Sequence, residues 1–546
     1  MSRPAVTAAL DALFQPFARS DAPGLVVGIA HRGQLLYRRA FGLASVEHGV
    51  ANSVHTRMRI GSVSKHFTAL AVLLLAEEGR LDLEGGISRW LPELRAPGPE
   101  PTLRQLLTHT GGLRDSLDLS LIASGLVLRP AGDALAAMVR QREANFPPGQ
   151  RMVYSNGGYH LLSLALERAE GRPFEAVMRE RVFEPLGLHD TRCVPSDFEL
   201  VPGLATLHLP AAAGGWRRGM FPSDEVKGEG GMVSTVDDML RWLAHLREPH
   251  LLGRPASWAL MMQPTTLANG RSVPYGFGLQ LEPLRGLPAW QHGGTVIGGS
   301  CHLLTLPSQA LDLIVMANGA PGSLAELSAR AAEAVLGEQA FPEPPERRPR
   351  TADQAGLVGT RYASRDGGMV LAFADADGSL AVRLHQSPPL PLAEDAGAWV
   401  LPFSRSVTGP YHLAPPAGVP EAIELDDAGA VLQLQRLPAE APPLAQAGAA
   451  LCGRYRSDDL DADARIAFDG EALVLHIASG FGPHRLELSA WSDDLFTWTH
   501  TGALAGLGGT LTVAQDAGCV TGLRLNTLRT RGLTFQRVDE PEKVTM

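Results

Sequence analysis

Apolar residues recur at helical spacing from Ala5 to Gln15 and predict a first helix. Two runs follow, Gly24 to Ala30 and Gln34 to Phe41, and they flank the turn residues His31, Arg32 and Gly33, a hairpin pattern. Helical periodicity then dominates to about residue 190, with helices predicted over Ser64 to Glu78, closed by Gly79, and Gly158 to Ala169, closed by Gly171. Strand-like runs return at Tyr275 to Leu281, Gly299 to Leu306 and Leu311 to Ala317, before a last helix from Ser323 to Leu336. Strands at both ends with helices between them predict one α/β domain whose sheet draws on both ends of the segment.

The text changes at Phe341-Pro-Glu-Pro-Pro-Glu-Arg-Arg-Pro-Arg350, whose prolines remove backbone donors and fix φ, so a linker is predicted there. Beyond it, short alternating runs separated by Asp-Gly, Asp-Ala-Gly and Gly-Pro turns predict antiparallel β-structure. Gly359-Thr-Arg-Tyr362 recurs as Cys452-Gly-Arg-Tyr455, each opening a strand-rich block. The expected organisation is a domain over residues 1–340, a linker over 341–350, and two small β-barrel domains over 351–445 and 446–546. The second boundary falls near Ala439 to Ala450.

A chain of 546 residues exceeds a single core, and 45% apolar with 19% charged residues is an ordinary folded composition. The 48 basic and 58 acidic residues leave a formal charge of −10 without a polybasic block, which argues against nucleic acid or an anionic membrane as partner. The longest apolar stretch, Phe67 to Ala76, falls short of the roughly 20 residues of a spanning helix. Asp11 interrupts the region where a signal peptide would need apolar residues, so a cytoplasmic location is expected. Cys193, Cys301, Cys452 and Cys519 are scattered without metal-like pairing, which predicts reduced thiols and no metal site.

Three segments carry candidate chemistry. Gly61-Ser62-Val63-Ser64-Lys65 opens a helical pattern, and positions three apart share a helix face, so Ser62 and Lys65 can touch. A desolvated, neutral Lys65 then takes the serine proton while free N–H groups of the helix start stabilise an oxyanion. The chain has only three lysines, Lys65, Lys227 and Lys543, and otherwise uses arginine, which cannot act as a base. In Tyr154-Ser155-Asn156-Gly157-Gly158-Tyr159 the first tyrosine is a candidate proton relay, its pKa expected to fall beside a lysine ammonium, and Asn156 a donor to substrate. In Gln291-His292-Gly293-Gly294-Thr295, between apparent strands, Gly293 and Gly294 permit close approach to a ligand. His292 would present a donor or cation, and the Thr295 N–H is the candidate second oxyanion donor beside that of Ser62. In isolation each segment also reads as ordinary structure: a capped helix, an aromatic turn, a loop histidine.

Taken in order, S-x-x-K, Y-S-N and H-G-G resemble the active-site triplet of the penicillin-recognising serine hydrolases, the superfamily of class C β-lactamases, D-alanyl-D-alanine carboxypeptidases, esterases and D-aminopeptidases. The resemblance spans residues 1 to about 340 and extends to Leu106-Leu-Thr-His-Thr-Gly-Gly-Leu113, Pro185-Leu-Gly-Leu188, Gly230-Gly-Met-Val-Ser-Thr235 and Tyr275-Gly-Phe-Gly278. The two extra β-domains are similar to the D-aminopeptidase branch, as are Thr56-Arg-Met58, Gly112-Leu-Arg-Asp115 and Arg454-Tyr-Arg-Ser-Asp-Asp-Leu-Asp-Ala-Asp463.

The resemblance implies a β-lactamase-like domain followed by two antiparallel barrels. It also implies release of N-terminal D-residues from small peptides, amides or esters through an acyl-enzyme, with no cofactor. Partners are then a small molecule or short peptide, with a homodimer open to the chain. In that branch a loop of the third domain meets the substrate amine with an acid, and the matching loop here, Ser479 to Glu487, places Arg485 at that position as the substrate-binding candidate. An arginine repels an ammonium group, so either Glu487 serves or the substrate lacks a free amine. The alternatives are a broad esterase, a carboxypeptidase or β-lactamase-like hydrolase, and a non-catalytic ligand sensor.

Overall fold

A computed structural model describes residues 2–538 apart from 95–97, 320, 343–347, 352–355, 396, 402–410, 417 and 428. The first region is built on an antiparallel sheet of β1 (Leu25–His31), β2 (Gln34–Phe41), β3 (Trp290–Val296), β4 (Gly299–Leu306) and β5 (Leu311–Ala317), in the order β3-β4-β5-β1-β2. β1 pairs with β5 from Leu25 opposite Ala317 to His31 opposite Leu311, which joins the two ends of the region.

Both faces of this sheet are covered, which explains why β1 reads as a continuous apolar run instead of alternating. Leu25, Val27 and Ile29 pack against Val6, Leu10 and Phe14 of helix α1 (Arg3–Phe14). Val26 faces the other core, with Phe67 of α2 (Ser64–Glu77). The remaining helices that matter for the site are α3 (Ser116–Ser124), α4 (Asn156–Glu170), α5 (Val236–Arg247) and α6 (Leu324–Leu336). Ser155 caps α4 by accepting from the Gly158 N–H at 3.1 Å, and Gly171 ends it in the left-handed conformation.

Two strand expectations change. Tyr275 to Leu281 is not a strand but a tight loop with single bridges from Tyr275 to Gln280 and from Gln280 to Gln291. The cause is close backbone packing: a Cβ on Gly276 would lie 2.2 Å from the Met261 carbonyl, and one on Gly278, whose φ is +74°, 2.7 Å from that of Lys65. The Gln291 to Thr295 segment does not lie between strands; it is itself the edge strand β3.

The linker expected over 341–350 is shorter than the proline pattern implies. Phe341 is buried in the first region's core, 343–347 lie outside the described residues, and Arg348–Pro349 already pairs with Ala393 and Glu394. Proline is tolerated there because the strand is at a sheet edge, where no N–H is needed. That sheet has ten antiparallel strands running to Leu437 and is nearly closed, a bridge from Thr351 to Ser379 approaching closure. A short helix, Leu444–Ala449, leads into a closed eight-stranded antiparallel barrel from Gly453 to Val538. Tyr362 and Tyr455, the repeated tyrosines, are buried near the first strand of each block and donate to the carbonyls of Pro420 (3.0 Å) and Leu451 (2.7 Å). Leu119, Ile122 and Ala123 of α3 join the core of the closed barrel, so this helix is shared between the first and last regions.

Candidate active site

Ser62 sits on a single 3₁₀ turn, Gly61–Val63, that runs directly into α2. Gly61 adopts φ +52°, and a Cβ there would lie 2.8 Å from the Thr295 nitrogen. On the facing strand, a Cβ on Gly294 would stand 1.9 Å from the Ile60 carbonyl oxygen and 3.2 Å from the Ser62 nitrogen. These two glycines let β3 lie against the serine turn, whereas Gly293 faces open space over the cleft.

Gln291 exchanges both backbone hydrogen bonds with Gln280 on the outer side of β3, at 2.9 and 3.0 Å. Antiparallel alternation therefore points the N–H and C=O of Gly293 and Thr295 to that same side, away from β4. The Thr295 N–H thus faces the cleft beside the start of the Ser62 turn.

Lys65 is fully buried, and its Nζ has three partners: Ser62 Oγ at 3.2 Å, Asn156 Oδ1 at 2.9 Å and the Glu229 carbonyl at 2.5 Å. Burial lowers its pKa to about 7, opposed by the charges of Glu229 and Asp115 and assisted by Arg529. A neutral amine has two N–H donors and one lone pair. The Asn156 and Glu229 oxygens can only accept, so they take the donors and the lone pair turns to the Ser62 hydroxyl.

The Tyr154 hydroxyl is buried beside Ser62 without a hydrogen bond of good geometry among the described residues. The lysine ammonium was expected to lower its pKa; burial instead raises it above the ordinary phenol value, with Ser62 and Arg529 acting in the lowering sense. Asn156 is placed by Asp115, whose Oδ2 accepts from the Asn156 and Gly157 N–H groups at the start of α4. Its Oδ1 is spent on Lys65, and its amide nitrogen, on a residue lining the cleft, is what remains for a substrate.

His292 lines the cleft but does not present a cation. Burial, then the Lys65 charge, lowers its pKa to about 3. Its Nδ1 contacts the Gly293 carbonyl at 2.6 Å and its Nε2 the Tyr275 hydroxyl at 3.2 Å. That hydroxyl also meets His109 Nε2 at 3.1 Å, and His109 Nδ1 accepts from the Ser155 N–H at 3.1 Å. The chain His292, Tyr275, His109 thus ties the H-G-G strand to the Y-S-N segment beneath the cleft floor.

Arg485 is not brought to this site. Its guanidinium is 2.5 Å from Asp469 and 3.3 Å from Glu487 on the barrel wall, and neither Arg485 nor Glu487 lines the cleft that holds Ser62. Ser479 to Glu487 forms a hairpin whose tip meets the segment that follows α3, with the Arg129 guanidinium 3.8 Å over the Phe481 ring. The segment that enters the cleft is instead 527–532, between the last two barrel strands, through Leu528, Arg529 and Arg531. The cleft encloses about 420 Å³ and also receives Tyr411 and Asp427 from the ten-stranded sheet. Sequence reasoning missed Arg529, Glu229 and Asp115; only Asp115 lies in a segment that carries the family resemblance, Gly112-Leu-Arg-Asp115.

The Beta-lactamase family model matches residues 10–336. A D-aminopeptidase of Cereibacter sphaeroides is 30% identical over 98% of this chain and 99% of its own. The D-aminopeptidase of Gluconobacter oxydans is 27% identical over 95% of this chain and 97% of its own. The octameric penicillin-binding protein homologue from Pyrococcus abyssi superposes with a TM-score of 0.55 at 18% identity, covering 98% of this chain and all of that one, a likeness of fold. With a family match over most of the first region and a relative aligned almost end to end, this chain belongs to the β-lactamase family of serine hydrolases and is similar over its whole length to D-aminopeptidases.

Proposed function

We propose that the protein releases N-terminal D-amino acids from small peptides, amides or esters through an acyl-enzyme on Ser62. The observation that carries the reading is the buried Lys65, its pKa lowered to about 7 and its amine 3.2 Å from Ser62 Oγ. Neutral Lys65 accepts the hydroxyl proton as Oγ attacks the scissile carbonyl. The N–H groups of Ser62 and Thr295 receive the oxyanion. The proton returns through Tyr154 to the leaving nitrogen, which departs, and water then attacks the ester by the reverse sequence. His292 contributes as a neutral group that fixes β3, and Asn156, Gly293 and Gly294 border the substrate.

The substrate class is favoured by the nearly full-length likeness to D-aminopeptidases. A cleft of about 420 Å³ narrowed by residues from both β-regions favours small molecules over long chains. The decisive experiment is intact mass after fluorophosphonate treatment, followed by a panel of matched D- and L-aminoacyl p-nitroanilides. Expected are one adduct, absent in Ser62→Ala, and hydrolysis restricted to D-residues with a free amine. Equal turnover of amine-free esters would favour the esterase reading. Among the described residues no helix is long and apolar enough to cross a membrane. A cytoplasmic location and a homodimer stand as parts of the proposal, the second read by sedimentation.

A further inference from the structure

The 527–532 segment is held on both sides by the first region. Asn145 donates to the Arg529 carbonyl and accepts from the Arg531 N–H, both at 2.7 Å. Arg114 donates to the carbonyls of Arg531 and Gly532, each at 3.0 Å, and the Thr527 hydroxyl donates to Asp118. The backbone is thereby immobilised while the Arg529 side chain is left over. Its guanidinium carbon lies 5.2 Å over the Tyr154 ring, in the cleft that holds Ser62. Among the described residues no carboxylate lies within ion-pair distance of it, although Arg114, Arg129 and Arg247 each have one. A half-buried guanidinium presents a fork of donors matched to a carboxylate, and among the described residues no carboxylate fills that fork.

We propose that Arg529 anchors a free carboxylate on the leaving group, so that the favoured substrates are dipeptides whose departing residue carries its own α-carboxylate. This rests on the acyl-transfer reading above. The side of the cleft follows from Tyr154: the group that returns a proton to the leaving nitrogen borders the leaving group, and Arg529 covers the same ring. An α-carboxylate is two bonds from that nitrogen, within reach of an arginine at this position. Neutral amides and esters lack the anchor and lose positioning energy that a dipeptide retains.

The test compares kcat/KM for D-alanyl-glycine and D-alanyl-glycinamide in the wild type, Arg529→Gln and Arg529→Lys. The wild type is expected to favour the dipeptide, and Arg529→Gln to reduce that preference about 10- to 100-fold, mainly through KM. Arg529→Lys keeps part of it, as a point charge without the fork. An unchanged preference, or equal loss on both substrates, overturns the anchor; equal loss would show that the charge acts only through Lys65 and Tyr154. A calorimetric measurement of both ligands on Ser62→Ala, with and without Arg529→Gln, separates the anchor from the catalytic reading. If the wild type cleaves neither compound yet Ser62→Ala binds the dipeptide more tightly in an Arg529-dependent way, the proposed reaction fails and the anchor stands. Equal binding of both ligands overturns the anchor.

Discussion

Arg114 Nη1 lies 2.6 Å from Asp459 Oδ2, and both side chains are buried, although one belongs to the first region and the other to the closed barrel. Asp115, the next residue, caps the helix that begins with Asn156. Two neighbouring residues therefore hold the barrel on one side and the start of the Asn156 helix on the other. Removing one partner of a buried pair strands the other charge at a cost of about 3–5 kcal/mol. Asp459→Ala is thus expected to lower the thermal midpoint and kcat/KM together. Arg114→Met with Asp459→Leu should be less destabilised than Asp459→Ala, because no charge is left unpaired. A double variant as unstable as the sum of the singles would show that the pair is uncoupled.

Activity should follow the proton on Lys65. Only the neutral amine accepts from Ser62, so kcat/KM for an uncharged ester rises with pH and levels off above an apparent pKa of about 7. Lys65→Arg keeps charge without a base and should lose about two decades or more in kcat. A profile flat from pH 6 to 9 would assign the base elsewhere.

Gly294→Ala places a Cβ 1.9 Å from the Ile60 carbonyl, a contact that only movement of β3 relieves. Displacing the Thr295 N–H removes an oxyanion donor, for which the expected loss in kcat is about 10²- to 10³-fold. Gly293→Ala meets nothing within 4 Å of its Cβ and should keep the fold and cost far less. Comparable kcat in the two variants would remove Thr295 from the oxyanion site.

Arg485 supplies a contrast to Arg529. Its Nη1 and Nη2 pair with Asp469 and Glu487 at a half-exposed position where ion pairs contribute about 0–1 kcal/mol. Arg485→Asp should leave the ratio of kcat/KM for amine-bearing and amine-free substrates within about twofold of wild type. A larger change in that ratio would return the 479–487 hairpin to the cleft.

Much of the frame follows from local physics. The spacing of Ser62 and Lys65, the helix that ends at Gly171, the runs that become β4 and β5, and the shift to alternating β-text after the prolines are patterns of near neighbours along the chain. A three-residue offset on a helix, or a turn residue between alternating runs, constrains structure without reference to distant parts. The Tyr275 to Leu281 loop was misread for the complementary reason: its glycines answer to Met261 and Lys65 backbone, which periodicity does not report.

Tertiary structure alone decided the electrostatics and the roof of the cleft. Whether Lys65 is a base or a surface cation depends on complete burial against Glu229 and Asn156, residues 164 and 91 positions away in the chain. The same burial makes His292 neutral and raises the Tyr154 phenol, reversing two expectations drawn from residue type. Which barrel loop reaches Ser62 was settled by Arg114, Asn145 and Asp459 pairing across more than 300 residues, contacts with no trace in local spacing. Sequence by itself determined which chemical groups were present and which near neighbours could meet. Desolvation and long-range docking, which depend on everything that surrounds a group, determined what those groups could do.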